Sequence, residues 1–481
     1  MLLFLTEQIF IESPGERDTA VETVFTPAMF EELKALMAAE GWDVEAVTAQ
    51  WNSEYKHRKI ISGFLKDKAI GAKRLASMPD RITNTINVMV DGTPGTVCRP
   101  CPTSMFDGDL SSSEKWWEQW KRFMFHTEVE QKGAGGIHRS RVCGLLGPIK
   151  HSKYPAISLE EEAISIPLQT LCQAIFDAVQ VHMLNTVAPG VWFGIHRELC
   201  ENLGRRKMPL TLAILEQCYG DRDVLFLQEV AANFVDTLEG SSQISGHYHI
   251  VKPAKLDAKR DQNSLLLLSK AKFAIESACE VTHEILEALT TKDMVMDGDL
   301  VGLTIDSTDG GSFFLASFHG DTNGLATIPV LDALHAVAGA LPHHTVMWGI
   351  DANAHFTADG GKRLGVEDLQ RKLAALGLGS GSGMDIPEEG GYTCYNARTY
   401  LQAQLNKACS SKAIRATGDV NPKDFIIFQP ETYELSKVLK DNTGQERFLQ
   451  NMAFPTLTFP SDHAVLACDF VKRSEPAPAA L

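Results

Sequence analysis

A set of short, largely apolar runs, each flanked by a polar group at one end, restricts this chain more than any other feature. Val224–Leu227 runs into Gln228 and Glu229, Phe313–Phe318 delivers His319, and His344–Trp348 leads through Gly349 and Ile350 to Asp351-Ala352-Asn353. Leu265–Leu268 follows Gln262-Asn263-Ser264, Phe425–Phe428 follows Lys423-Asp424, and Ala464–Cys468 follows Ser461-Asp462-His463. Runs this short and this apolar fit strands covered on both faces. Because helical stretches separate them, the pattern from about residue 160 onward predicts layers of strand and helix.

Strand ends from distant parts of a sequence can converge on one rim of a sheet, and these carry acids, amides and imidazoles. In Asp351-Ala352-Asn353 the two polar side chains are two residues apart, so extended backbone points both to one face. Read alone, Asp-x-Asn fits turn chemistry at a strand end better than it fits a ligand pair. The wider inventory, with Asn185, Glu229, His319, Asp462 and His463 and no cysteine, suits Mg²⁺ or Mn²⁺ and a phosphate.

Length and composition narrow the setting. At 481 residues the chain is long for one core, and 44% hydrophobic with 22% charged residues describes a folded globular protein of about two domains. A formal charge of −16 argues against a whole-surface grip on polyanions and leaves room for a local basic groove. Ten scattered cysteines do not make a disulfide scaffold, so a reducing compartment, cytoplasm or nucleus, is expected. Met1–Leu5 reads as a buried strand rather than a signal peptide, and no segment reaches the roughly 18 apolar residues of a membrane span.

Residues 1–160 are expected to form a separate N-terminal domain of unknown role. Helical spacing covers Ala28–Glu40, and Ser111–Glu114 caps a helix that sets Trp116 and Trp120 on one face, more in keeping with a core than with a base-stacking platform. The Cys98/Cys101 pair has no second close pair to complete a zinc site, so plain thiols are the expectation. Further on, Ala178–Asn185 reads as a strand tipped by an Asn, Lys207–Cys218 as a helix, and the tail from Arg473 as disordered.

The order of the pieces is strand-Asn, Leu-Gln-Glu-Val, strand-His, Asp-x-Asn, Lys-Asp-Phe-Ile-Ile, Ser-Asp-His. It resembles the endonuclease/exonuclease/phosphatase superfamily over residues 175–473. The resemblance implies an α/β (α+β) fold, a four-layer αββα sandwich of two mixed β-sheets. It also implies roles. Glu229 would be the principal metal ligand, with Asn185 beside it and Asp462 near or on the ion. Asp351 would activate or orient water, Asn353 would hold the phosphate, and His463, paired with Asp424, would act as base or phosphate-stabilising cation. His319 would contact the phosphate or assist the leaving group.

The implied activity is Mg²⁺- or Mn²⁺-dependent phosphodiester hydrolysis, with nucleic acid as the expected substrate. Two alternatives stay open: an inositol-phosphate or phospholipid phosphoesterase of the same fold, and a catalytically silent binding or scaffold protein. Asn263 and Asn323 are further candidates for substrate contact. The mixed aromatic, amide and basic segment 395–407, with Arg398 and Lys407, is expected to line a substrate groove.

Overall fold

In the computed structural model, residues 6–90, 93–133, 136–257, 262–291, 294–396 and 418–473 are described. They fall into two compact units, one within residues 1–205 and one built from 206–397 and 418–481. The division lies at Arg205/Arg206, later than the expected change near 160–175. Among the described residues no helix is long and apolar enough to cross a membrane.

The first unit is mainly helical around one aromatic-rich core. Helix α1 (Pro27–Ala39) starts at Thr26, whose hydroxyl accepts from Met29 N, with Pro27 in the first turn. Helix α2 (Val44–Ser53) carries Trp51, which stacks on Phe30 at 4.7 Å between ring centroids. After the hairpin β1 (Thr85–Val90) and β2 (Thr93–Cys98) comes α3 (Ser113–His126), capped by Ser112. As the spacing implied, Trp116 and Trp120 of α3 are core residues. A second hairpin, β3 (Glu128–Gly133) and β4 (Gly136–Arg141), precedes α4 (Ser165–Val187).

Helix α4 overturns one expectation. Ala178–Asn185 is the last part of this 23-residue helix, not a strand. The helix is buried on nearly every side, and a helix covered all round shows no amphipathic period to betray it.

The second unit is layered. Helices α5 (Lys207–Cys218), α6 (Ala232–Gly240) and α7 (Ser242–His247) pack on a three-stranded sheet of β5 (Val224–Val230), β6 (Tyr248–Val251) and β7 (Asn263–Ser269), ordered β5-β7-β6. A six-stranded mixed sheet takes β8 (Phe273–Glu280), β9 (Leu300–Ser307), β10 (Ser312–His319), β11 (Thr345–Asp351), β12 (Gly379–Ser382) and β15 (Asp424–Phe428) in the order β12-β15-β11-β10-β9-β8. Two further pairs follow, the short β13 (Cys394–Asn396) with β14 (Asp419–Asn421), and the longer β16 (Tyr433–Asp441) with β17 (Val465–Lys472). Helices α8 (Thr282–Ala288), α9 (Thr327–Gly339) and α10 (Val366–Ala375) contribute to the core on the outer face of the larger sheet.

Alternation along single strands shows the layering directly. Leu265 and Leu267 belong to the core against α5–α7, while Leu266 and Leu268 belong to the core between the sheets. On β10, Phe313 and Leu315 face the sheet interface, and Phe314, Ala316 and Phe318 face the outer helices. Such strands are apolar at every position because both faces are covered, giving the expected αββα arrangement. Gly349 is dictated by the same interface, since a Cβ there would lie 2.1 Å from Phe226. Strand β5 is only half-buried along Val224–Leu227, against the expectation of a strand covered on both faces, and among the described residues it pairs with β7 alone.

Candidate active site

Register alone assembles half of the centre. His319, Asp351 and Asp424 are the end residues of β10, β11 and β15, and pairing sets His319 beside Asp351 and Asp351 beside Asp424. His463, just before β17, reaches this row from the side. Its Nδ1 lies 3.1 Å from both Asp424 oxygens and 3.8 Å from Asp351 Oδ2. From the other sheet Glu229 brings Oε1 to 3.3 Å from His319 Nε2, which is in turn 3.7 Å from Asp351 Oδ2. The result is an alternating row, Glu229–His319–Asp351–His463–Asp424.

Two of the five non-glycine residues with positive φ among the described residues lie here. Glu229 has φ +53° at an irregularity in the β5–β7 register, and Asn353 has φ +46°. A non-glycine residue in this region costs about 1–3 kcal/mol, retained where the surroundings or the function require it. The bulge lets Glu229 leave the ladder half-exposed, where its Oε1 accepts from Gln262 Nε2 at 3.1 Å. Gly324 (φ +71°) closes the loop after β10 onto the Asp351–Asn353 turn, where a Cβ would stand 2.6 Å from Ala352 O.

Charge sets the protonation states. Burial pushes Asp351 up to about 6, with His463 opposing that shift and Asp424 adding to it. Burial alone would strip His463 of its proton, but Asp424 and Asp351 hold it well above the ordinary imidazole value. A carboxylate only accepts, so His463 Nδ1 donates to Asp424, and Cys394 is a second side-chain partner of the ring. Asp462 resists its own burial through His463 and an Asn396 Nδ2 donor at 3.3 Å, which lower its pKa.

Asn353 is less available than the resemblance implies. Its Nδ2 donates to Gly320 O at 3.0 Å and to Asp351 Oδ2 at 3.4 Å, its backbone N donates to Asp351 Oδ1 at 2.9 Å, and its Oδ1 accepts from Lys423 Nζ at 3.0 Å. At 5% exposure it braces Asp351 rather than presenting a free amide.

Other expected residues lie elsewhere. Asn185 stands on α4 in the first unit, where its Oδ1 accepts from Trp192 Nε1 at 2.7 Å and its Nδ2 donates to Leu110 O. It sits on no strand end of the second unit. Asn263 is fully buried and spent internally, accepting from Asp257 N and donating to Val230 O, so it clamps the β5 bulge and does not face substrate. Asn323 lies in the exposed loop after His319, its carbonyl accepting from Leu364 N. Arg398 and Lys407 fall outside the described residues, as do the expected strand at Met1–Leu5 and the tail beyond Arg473.

Sequence reasoning passed over Gln262 and Lys423 as site residues. Both lie in loops just before a strand, beside a motif residue, where a side chain ordinarily faces water.

Asp351, Asp424 and His463 each offer a ligand atom within 4.8 Å of the others, close enough to hold a metal ion. An Nδ1–H turned toward Asp424 cannot also ligate, so the carboxylates are the better donors in this cluster. In the first unit Cys101 Sγ contacts Thr103 and Cys98 contacts Thr85, and among the described residues no comparable group of ligands surrounds that pair.

A family model described as a domain of unknown function, DUF8234, matches residues 18–197, which lie within the first unit. No curated protein matches the chain. Among solved structures, the human Nocturnin catalytic domain with bound sulfate is 16% identical at TM-score 0.37, covering 56% of this chain and 87% of its own. A D. rerio TDP2 complex with single-strand DNA product is 14% identical at TM-score 0.35, covering 56% and 93%. ANGEL2, described as a 2′,3′-cyclic phosphatase, in complex with adenosine-2′,3′-vanadate, is 16% identical at TM-score 0.38, covering 56% and 86%. Likenesses this loose carry no argument about activity.

Proposed function

We propose that the second unit is a divalent-metal-dependent phosphodiesterase, acting on nucleic acid by in-line attack of water. The observation that carries this reading is the alternating row Glu229–His319–Asp351–His463–Asp424 at one sheet edge, with Glu229 and Asn353 held in strained backbone beside it.

Phosphodiester hydrolysis needs a proton acceptor for water and positive charge at the non-bridging oxygens. Asp351, raised to about 6, is ionised at neutral pH yet basic enough to take a proton, and Asn353 fixes its orientation. His463, kept protonated by Asp424, supplies cationic N–H donation to the phosphate. His319, between Glu229 and Asp351, is placed to protonate the leaving oxygen or to hold the phosphate. A bound Mg²⁺ or Mn²⁺, held by Glu229 with Asp462 near or on it, would supply Lewis-acid neutralisation of the phosphate. Oxygen donors of this kind fit a hard cation.

The reading is tested with purified protein in Mg²⁺ or Mn²⁺, assayed against single- and double-stranded DNA, RNA and inositol polyphosphates, beside Glu229→Ala. Cleavage of a nucleic acid by the unaltered chain and its loss in the variant is expected. If inositol polyphosphate alone is turned over, the substrate class is wrong. If every substrate is untouched in both samples, the row is not hydrolytic.

A further inference from the structure

Lys423 is a buried cation inside a cluster of acids, and the proposed chemistry above gives it no task. It is 6% exposed, and its ammonium donates to Asn353 Oδ1 at 3.0 Å and lies 3.7 Å from Asp419 Oδ2. The charges of Asp351 and Asp424 also act on it. Its backbone is pinned as well, the N–H donating to Thr393 Oγ1 at 3.0 Å and the carbonyl accepting from Ala352 N at 2.8 Å. A lysine held so firmly out of water has given up hydration and side-chain freedom that it would keep at the surface.

We infer that Lys423 is a positioning residue, acting through Asn353 on Asp351, and a resident positive charge that weakens cation binding while making the centre competent. This rests on the phosphodiesterase reading. An Asn amide can be turned over, exchanging its oxygen and nitrogen. With Lys423 donating to Oδ1, only one orientation is favourable, and it turns Nδ2 toward Gly320 O and Asp351 Oδ2. Asp351 is thereby presented as an acceptor with a fixed direction. The same ammonium acts on Asp351 and Asp424, carboxylates close enough together to hold a metal ion, and so opposes a divalent ion drawn to them; removing it should tighten ion binding while loosening Asp351.

These opposed signs separate the inference from a merely structural role, since a variant that lost its local fold would lose both. Mn²⁺ binding is read by isothermal titration calorimetry on the full chain, and kcat and KM by cleavage of the best nucleic acid substrate. Lys423→Met is expected to tighten Mn²⁺ binding by about tenfold and to lower kcat by about 30- to 100-fold with KM little changed. Lys423→Gln keeps an N–H donor, one atom shorter in reach, but carries no charge. It is expected to tighten Mn²⁺ equally and to lose less kcat, and it answers the question if the Met variant fails to fold. Lys423→Arg should restore both quantities toward the unaltered values.

Weaker Mn²⁺ binding in folded Lys423→Gln, or unchanged affinity and rate in both uncharged variants, overturns the inference. If the unaltered chain cleaves nothing, the calorimetric arm still decides the charge effect, and it is then the phosphodiesterase reading that has failed.

Discussion

Asp177 in the first unit and Asp351 in the second are both buried acids that burial pushes up to about 6, yet only one of them sits in a candidate active site. Asp177 receives Arg99 Nε at 2.8 Å, Arg99 Nη2 at 3.2 Å and Trp120 Nε1 at 2.9 Å. Arg99 in turn donates to Asp80 at 2.7 Å and to Thr83 Oγ1 at 2.9 Å, and neither Arg99 nor Asp177 is exposed. Burial disfavours the Arg99 charge, but Asp177 and Asp80 hold it above its ordinary value. This cluster is satisfied and sealed. The Asp351 cluster instead combines acids with imidazoles and adjoins a half-exposed Glu229 and residues of positive φ. A shifted pKa marks burial; unspent capacity beside it marks function.

The sharpest way to break this contrast is to remove one member from each cluster. His463→Ala is expected to lower kcat by about 10³- to 10⁴-fold, about 4–5.5 kcal/mol of transition-state stabilisation, with little change in thermal midpoint. Arg99→Met should do the reverse kind of damage. It leaves Asp177 buried without its partner and is expected to destabilise the protein by about 3–5 kcal/mol, read as a lowered denaturant midpoint.

Asp424→Asn sharpens the electrostatic side. Asp424 holds His463 protonated above its ordinary value, so the amide should move the alkaline limb of the rate profile to lower pH. The accompanying loss in kcat is expected to be about 10²-fold. The acid limb has a separate origin, since Asp351 must be ionised to accept a proton. Activity of the unaltered chain should therefore fall as pH drops through about 6. Smallest is Gly349→Ala, which presses a methyl into Phe226 between the sheets and should destabilise by about 1–3 kcal/mol, measured by denaturant unfolding.

Much of the second unit was legible because double burial makes its strands apolar throughout, and because a strand's last residue is where a polar side chain reaches the rim. His319 and Asp351, the last residues of their strands, and Glu229 and His463, near the ends of β5 and β17, stand out in this way. Asp424 comes only with the resemblance, and the register brings His319, Asp351 and Asp424 side by side. Asn185 was misplaced for the same reason. Ala178–Leu184 is as apolar as a buried strand, and the β-branched Val179 and Val181 favour that reading, but the run belongs to a helix covered on all sides. Asn263 shows the complementary error, a polar residue at a strand start whose bonds are all internal. Lys423 left no signal, since a lysine in a loop ordinarily faces water, and only the fold brings Asn353 to its ammonium.

The most direct test of the central claim is the initial rate of Mg²⁺-supported nucleic acid cleavage by Asp351→Asn beside the unaltered chain. The substitution keeps shape and removes the proton acceptor. A loss of about 10³-fold or more with an unchanged or higher thermal midpoint is predicted, whereas a rate within threefold of the unaltered chain would contradict the account.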